Sequence, residues 1–569
     1  MIRDVDELED GAIMEGEVAV VGAGFAGLEL ASFLGRRGVS VVLLESGRLE
    51  FDPRTQELAR VDSVGKPIWE PGPESEMTPY LEPELRGESR IRQFGGSSNT
   101  WTGKWRIFDP LDFAERSWVP HSGWPITFDE VWPFYEAVIR DYGLDQFAAF
   151  RQSEGVRSLR AAARSGGLEV ACHAWQKSPL RLARRFGAEL RAAESVNAVL
   201  GANATDIVLS NDLERVRSLV VRSLEGRELE VHAERFVLAT GGLEVPRLLL
   251  SSNGQLPAGI GNRHGFVGRF NANHPKHKQG ALWPAGELRD PARAGTDILP
   301  RPRFHVNFQL SDETQRDLGL LNHTLRLTPV YRYEIDYPQE RVQALRESLA
   351  ARDLRGVARS SLALARSPRA LAKVLRRTYH RGYGGPLDHY ALTMYLEQAP
   401  NPESRVYLGD ETDALGLPKL VVDWRLTELD RESFDATLEE LKRAFARAGL
   451  GRLEFGELTI DDTFDAAHHI GTTRMASSAE EGVVDSDCRV FGTENLYVAS
   501  SSVFPTGHSM GPTLTIVALA RRLGAHLVAQ VAPSSASAST GLRPDPRADV
   551  VPPGLSRRLD AHGSARGRQ

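Results

Sequence analysis

The chain has two cysteines, Cys172 and Cys488, in 569 residues. That number excludes a disulfide framework and a thiolate metal cluster. No apolar run approaches the length of a membrane span, and the acidic start "MIRDVDELEDGAIMEGE" lacks the basic-then-apolar pattern of a signal peptide, so a cytoplasmic protein is expected. Lys plus Arg number 69 against 76 Asp plus Glu, and a net charge of -7 gives no general reason to expect nucleic acid. There is no internal repeat, no G-x-S-x-G and no Walker-type loop. "NANHPKHKQG" brings His274 and His277 together, but without Cys, Asp or Glu at ligand spacing, so no metal is expected.

What is present is length and pattern. A chain this long exceeds one ordinary domain, and two interleaved domains are the expectation. Glu17 to Glu45 reads as strand, tight turn, helix, strand, and a β-rich run from Val196 to Leu238 ends in "FVLATGGLEVPRLLLSS". From Arg303 to Asp423, "HVNFQL", "HTLRLTPVYRYEI", "YALTMYLEQ", "SRVYLG" and "KLVVDW" read as an antiparallel sheet, interrupted by a helical, Arg-rich insert at 339–381. The end of the chain lacks aromatics and periodicity, and 533–569 is expected to be disordered.

The first chemical motif is "VAVVGAGFAGLELASFLGRRGVSVVLLESG". Gly22, Gly24 and Gly27 form G-x-G-x-x-G between an apolar strand and a helix. The glycines allow a tight turn, contact between backbone and a pyrophosphate, and close packing of helix on strand. Glu45 ends the second strand at the distance of a carboxylate that accepts from a ribose 2′-hydroxyl, and an acid there disfavours a 2′-phosphate. FAD and NAD both fit this fingerprint.

Downstream, "HHIGTTRM", "VVDSDCRVFGTENLYVASSSVFPTGHSMGPTLTIVALARRLGAHL" and "LEQAPNPESRVYLGDETDALGLPKLVVDWRLT" occur in an order that resembles the glucose-methanol-choline (GMC) oxidoreductases. Within that family the likeness is to the sugar-oxidising members related to pyranose oxidase and the bacterial flavoprotein sugar dehydrogenases. The resemblance runs from about Glu17 to Leu527. It implies FAD, a doubly wound Rossmann-type α/β domain, and an antiparallel-sheet (α+β) substrate domain. The implied division is an extension at 1–15, a discontinuous FAD-binding domain at 16–270 with a flavin-contact loop at 85–125, a substrate domain at 271–455, and a return to the FAD domain at 456–532. The implied reaction oxidises a hydroxyl of a sugar, glycoside or cyclitol to a carbonyl by hydride transfer to flavin N5. Oxygen, a quinone or a carrier protein could take the electrons.

In the family pattern H-x-x-G-T the first histidine faces flavin N5, and the pattern falls on His468, Gly471 and Thr472. Imidazole suits the task, because a carbinol that loses a hydride must lose its hydroxyl proton near neutral pH. The family's second group, an Asn or His opening "N-P-T-L-T", is here Gly511 in "GHSMGPTLT". His508, three residues earlier, is the candidate replacement, and a surface loop residue is its other reading. The glycine also keeps open a non-redox lyase or isomerase of the same fold.

The resemblance further places Gly95, Gly96, Ser97, Asn99 and Thr100 of "FGGSSNTWTGKW" against the flavin. Thr100 stands where some relatives carry a histidine bonded to the flavin, so non-covalent FAD is expected. Ala239, Thr240, Gly241 and Ser501 complete the expected cofactor contacts, with the amides around Thr513 and Leu514 at a helix start.

The segment 341–381 carries eleven Lys or Arg against Glu347 and Asp353, with leucines at helical spacing and a break near Ser367-Pro368. A helical lid whose apolar stripe packs on the roof sheet is the favoured reading. The other is a docking surface for anionic lipid or an acidic redox partner.

Overall fold

A computed structural model describes residues 1–68, 89–144, 146–175, 180–278, 280–290, 303–332, 335, 339–350, 353–380, 386–457 and 459–530. The tail expected to be disordered lies outside the described residues.

The strand Ile13–Val21 is central to the first sheet. Beside it lie Val41–Glu45, Val196–Leu200 and Ile2–Asp4 on one side and Glu228–Leu238 on the other, all parallel. Strands covered on both faces need continuous apolar runs, and Val18 to Val21 and Val41 to Leu44 are all buried. An antiparallel ribbon of Val216–Arg222 and Asn203–Leu209 extends the sheet. Leu496–Val498 adds to Glu228–Leu238 in parallel, so the chain does return to this domain near its end. The helices Phe25–Gly35 and Thr513–Gln530 pack together, and Gly524 leaves the room that the Phe33 ring fills. Their polar clamp is Arg521 Nε on Glu29 Oε1 at 2.6 Å, with Tyr142 Oη donating to Glu29 Oε2 at 2.5 Å.

The expected extension at 1–15 is corrected: Ile2–Asp4 is the edge strand, registered on Ala198, Val199 and Leu200. Val5 is fully buried, and Arg48 bonds Asp4 and Asp6, each at 2.6 Å, which ties this end down.

The second sheet is antiparallel, in the order Gly451–Glu454, Ala281–Pro284, Leu387–Tyr395, Thr324–Tyr331, Arg303–Leu310, Leu168–Trp175, Lys104–Trp105. Its last two strands come from within 16–270, so the substrate domain draws on chain expected to belong to the FAD block. In the other direction, Arg405–Thr412 and Pro418–Asp423 leave the roof. They pair with each other and, through Pro418–Asp423, with Val61–Ser63, covering an apolar cluster of Leu243, Val422 and Trp424. Behind the roof, Arg116 and Glu397 form a fully buried bidentate ion pair at 2.8 and 2.5 Å.

The insert joins the adjacent strands Thr324–Tyr331 and Leu387–Tyr395 as three helices, Gln339–Ala350, Leu354–Ala365 and Pro368–His380. The break before Pro368 is present, and a second precedes Leu354, where Asp353 caps the helix by accepting from the Arg355 N–H. The lid reading is corrected. No described insert residue lines the cavity described below, and Leu349, Leu371 and Leu375 face solvent instead of the roof.

Candidate functional site

A cavity of about 640 Å³ runs between the two sheets. One end is a cradle of backbone. A Cβ on Gly27 would overlap the Gly22 carbonyl oxygen, and Gly22 itself has φ +101°, so neither position accepts another residue without distortion. Gly24 faces open space, and Gly96 comes within a side chain's width of it, so two segments present bare backbone to the same volume. Glu45 is pinned by the N–H groups of Ala23 (2.7 Å) and Gly47 (2.8 Å). Burial raises its pKa, and those two N–H groups oppose the shift. Its carboxylate keeps acceptor capacity toward the cavity it lines, as a ribose diol requires.

Gly22, Gly24, Glu45, Gly96, Ser97, Thr100, Ala239, Thr240, Gly241, Ser501 and Thr513 all line the cavity. The buried Thr240 hydroxyl has no partner among the described residues. Gly27, Gly95, Asn99 and Leu514 are not among the lining residues. Gly27 is packing, Gly95 starts the short helical turn Gly96–Asn99 with φ +100°, Asn99 Nδ2 bonds the Phe94 carbonyl at 3.2 Å, and Leu514 is buried beneath the helix start. A flavin dinucleotide fits these residues, because a glycine-walled cradle, a pinned carboxylate and a helix N-terminus share one elongated volume.

The other end is a chamber of side chains. The segment 464–470 bridges to 272–276, pairing Ile470 with Ala272 and Phe464 with Lys276. Asn273 Oδ1 accepts the N–H of His468 at 3.1 Å and of His274 at 2.8 Å, fixing both residues together. His468 opens on the cavity, and the His274 ring, fully buried, meets it edge-on at 5.3 Å. His468 Nδ1 is enclosed and has no hydrogen-bond partner among the described residues. Burial depresses its pKa to about 4, with His469, Lys276 and Lys104 adding to the shift and Asp465 opposing it. The ring is therefore neutral near pH 7 and able to accept a proton. His469 also borders the cavity; its Nε2 lies 3.6 Å from Asp465, and its carbonyl accepts from the Ser501 hydroxyl at 2.7 Å.

Gly511 lies directly against His468: a Cβ there would sit 3.7 Å from Cε1 and 3.9 Å from Nε2. The sequence motifs thus do meet, across a gap that a side chain at position 511 would enter.

His508 is neither in the chamber nor on the surface. It is fully buried behind the wall and is not a lining residue. Its Nδ1 accepts the Met510 N–H at 3.1 Å, and its Nε2 lies 3.1 Å from Asp109 Oδ2 and 2.8 Å from the Arg106 guanidinium. Asp109, Asp112 and His508 cluster at ligand spacing, but the Arg106 guanidinium, 2.8 Å from His508 and 2.7 Å from Asp109, fills the position a cation would take. The expectation that His508 replaces the missing partner is corrected on this geometry.

Residues missed in the sequence line the same chamber: His173, Lys104, Lys276, Tyr395 and Met510. His173 Nε2 is 2.6 Å from the Asn307 amide, whose nitrogen also contacts Met510 Sδ at 3.1 Å, so Asn307 ties this histidine to the residue before Gly511. Burial holds its pKa well below the usual range, with Arg106 as the next cause. No local signal marks it, because its place depends on Leu168–Trp175 pairing with Arg303–Leu310.

Among known proteins, a family model described as GMC oxidoreductase matches residues 400–520, and one described as FAD binding domain matches residues 15–54. The first range contains His468 and Gly511, the second the glycine cradle and Glu45. The chain is similar to 2-methyl-1,2-propanediol dehydrogenase of Mycolicibacterium austroafricanum, 24% identical over 564 residues that cover 90% of this chain and 95% of the relative. It is also similar to the fructose dehydrogenase large subunit of Gluconobacter japonicus, 24% identical over 571 residues, covering 90% and 97%. Pyridoxine 4-oxidase from Mesorbium loti shares the fold, with a TM-score of 0.53 at 19% identity over 90% of this chain and 99% of its own. Among the described residues, no helix is long and apolar enough to cross a membrane.

Proposed function

We propose that the chain is an FAD-binding GMC oxidoreductase that oxidises a hydroxyl group of a sugar, glycoside or cyclitol to a carbonyl, with His468 as the base. The observation that carries this reading is the single cavity joining the glycine cradle to His468 and Gly511. Bound FAD supplies the hydride acceptor at its N5. The protein's own residues do the rest. Neutral His468 takes the hydroxyl proton, and the enclosure of its Nδ1 leaves Nε2, beside Gly511, as the proton acceptor. His173, held by Asn307, stands in for the side chain that Gly511 lacks and orients the substrate oxygen. Lys104, Lys276 and Tyr395 add polar groups suited to a polyhydroxylated substrate, and fructose dehydrogenase among the relatives supports that class. FAD is held without a covalent bond through Thr100, whose side chain offers only a hydroxyl near the Ser97 carbonyl at 3.4 Å.

Anaerobic mixing of the holoprotein with a panel of sugars, glycosides and cyclitols tests the reading. A substrate should bleach the flavin band near about 450 nm, and acid precipitation should leave FAD in the supernatant. An intact flavin that no member of the panel reduces would favour the non-redox lyase or isomerase reading instead.

A further inference from the structure

The basic insert exposes leucines that nothing in the described chain covers. Five of the thirteen exposed large apolar side chains among the described residues fall between Leu349 and Leu375. They are Leu349 (57% exposed), Leu354 (82%), Leu362 (51%), Leu371 (41%) and Leu375 (61%). Among the described residues of the insert only Leu364 and Ala370 are buried, so the three helices hold to one another through a small core and leave most of their leucines in water. Water-exposed leucines at this density are uncommon on a soluble monomer and mark an interaction surface.

Charge says what that surface meets. Between Arg341 and Arg381 there are eleven Lys or Arg and two acids, a balance of +9 in a chain of -7. Arg355, Arg359, Arg366 and Arg369 are exposed, and Leu362 lies one turn from both Arg359 and Arg366 on the same helix side. Leu371 and Leu375 are likewise one turn apart, on a helix whose sequence has four basic residues and no acid. Leucines with flanking arginines suit a lipid interface, where the apolar side chains enter the acyl boundary and the guanidinium groups stay at the phosphates. Between Gln339 and His380 the sequence has one aromatic residue, Tyr379, and no methionine, so beyond its arginines it has few of the anchors that protein interfaces favour. The insert also leaves the roof sheet at its Tyr331 and Leu387 end, away from the Thr324 and Tyr395 end that reaches the chamber.

We propose that the insert at 339–380 docks the protein peripherally on an anionic phospholipid surface, with Leu349, Leu354, Leu362, Leu371 and Leu375 entering the headgroup boundary and the basic side chains pairing with lipid phosphates. The proposal does not depend on the substrate or on the chemistry proposed above.

The test is sedimentation of the full-length holoprotein with phosphatidylglycerol–phosphatidylcholine vesicles and with phosphatidylcholine alone. It is run at about 0.05 M and about 0.5 M salt, where screening differs severalfold in range. Binding is expected to the anionic vesicles only and to weaken at least about tenfold at the higher salt. Arg355→Gln, Arg359→Gln and Arg366→Gln should each weaken it by up to about fivefold. Leu371→Ser with Leu375→Ser should weaken it about tenfold or more, since both side chains are exposed and the change leaves the fold and flavin content intact. Absence of binding at low salt, equal binding to neutral vesicles, or unchanged binding in both variant sets would overturn the proposal. Concentration-dependent dimerisation that the leucine variants abolish would assign the face to a second copy and overturn it as well.

Discussion

The two ends of the cavity are built from different materials. The cradle is backbone: Gly22, Gly24 and Gly96, packed against helix and strand at Gly27, with Glu45 tied to the N–H groups of Ala23 and Gly47. The chamber is mostly side chain: His468 from one segment, His173 from a roof strand and held from behind by Asn307 of the next, Met510 with Gly511 from another stretch, Lys104 and Lys276 from two more. A pyrophosphate presents the same atoms whatever the enzyme oxidises, so fixed amides suffice for it. A substrate hydroxyl needs groups that can be exchanged. The cradle should therefore fail by losing cofactor and the chamber by losing rate.

The largest effect is expected in the cradle. Gly27→Ala drives a Cβ into the Gly22 carbonyl, and helix and strand must part to relieve it. Overpacking of this kind costs about 3 kcal/mol or more when backbone has to move. The variant is expected to purify without flavin and to melt at lower denaturant, read by the absorbance ratio and a urea titration. Full flavin occupancy in Gly27→Ala would erase the distinction.

His468→Ala should do the converse. Flavin content is expected to be unchanged while the rate of anaerobic flavin reduction falls at least about a hundredfold, equivalent to about 2.7 kcal/mol. The pH dependence sharpens this. Burial favours the neutral ring, whose pKa is depressed to about 4, so the proton-accepting form predominates above that value. In wild type, the reduction rate should be flat above about pH 5 and decline as pH falls through about 4, measured by pH-jump stopped flow. A decline centred near the ordinary histidine value would contradict the burial argument.

How much of this was legible in the sequence follows from the same contrast. G-x-G-x-x-G, Glu45 and the H-x-x-G-T motif are each contiguous, and their residues act where the local backbone puts them. His173 belongs to an eight-residue strand, "LEVACHAW", with no motif of its own, and reaches the cavity only because that strand pairs with Arg303–Leu310. His508 shows the opposite failure. It stands only three residues from Gly511 in sequence, yet the intervening backbone turns it to Arg106 and Asp109. The strands Arg405–Thr412 and Pro418–Asp423 were read correctly as strands and given to the wrong sheet, since alternation specifies a buried face but not its partner. The leucine spacing of the insert likewise showed an apolar stripe without showing that it faces water.

Two histidines test that account at smaller amplitude. His508→Ala removes a buried ring from a charged cluster and should lower stability by about 1–3 kcal/mol while changing the flavin reduction rate less than about tenfold. His173→Ala also removes a buried ring, one bonded to Asn307, and should lower stability by about 1–3 kcal/mol, but unlike His508→Ala it should lower kcat/KM by about tenfold as well, the size of one hydrogen bond to substrate. Thermal melts and reduction rates on both variants check this. A catalytic loss in His508→Ala as deep as that of His468→Ala would return His508 to the chamber.

The smallest expected effect is at Gly511. An alanine Cβ there would lie 3.7 and 3.9 Å from the His468 ring, ordinary contact distances, and the backbone at this position is not in the left-handed region that favours glycine. Gly511→Ala is therefore expected to change flavin content not at all and reduction rate less than about threefold, because an added methyl removes neither the base nor its orientation. Gly511→Asn differs, since the new amide would extend past that contact to the substrate oxygen beside Nε2. If the gap at Gly511 is an empty partner position, Gly511→Asn should supply a hydrogen bond and rescue part of the His173→Ala loss, by up to about tenfold. If the gap is instead where the substrate's own carbon skeleton sits, both substitutions raise KM and neither rescues. Steady-state kinetics on the two single variants and on each combined with His173→Ala separate these cases. A large loss in Gly511→Ala would show that the bare backbone here is as indispensable as in the cradle, and the contrast between the two ends would fail.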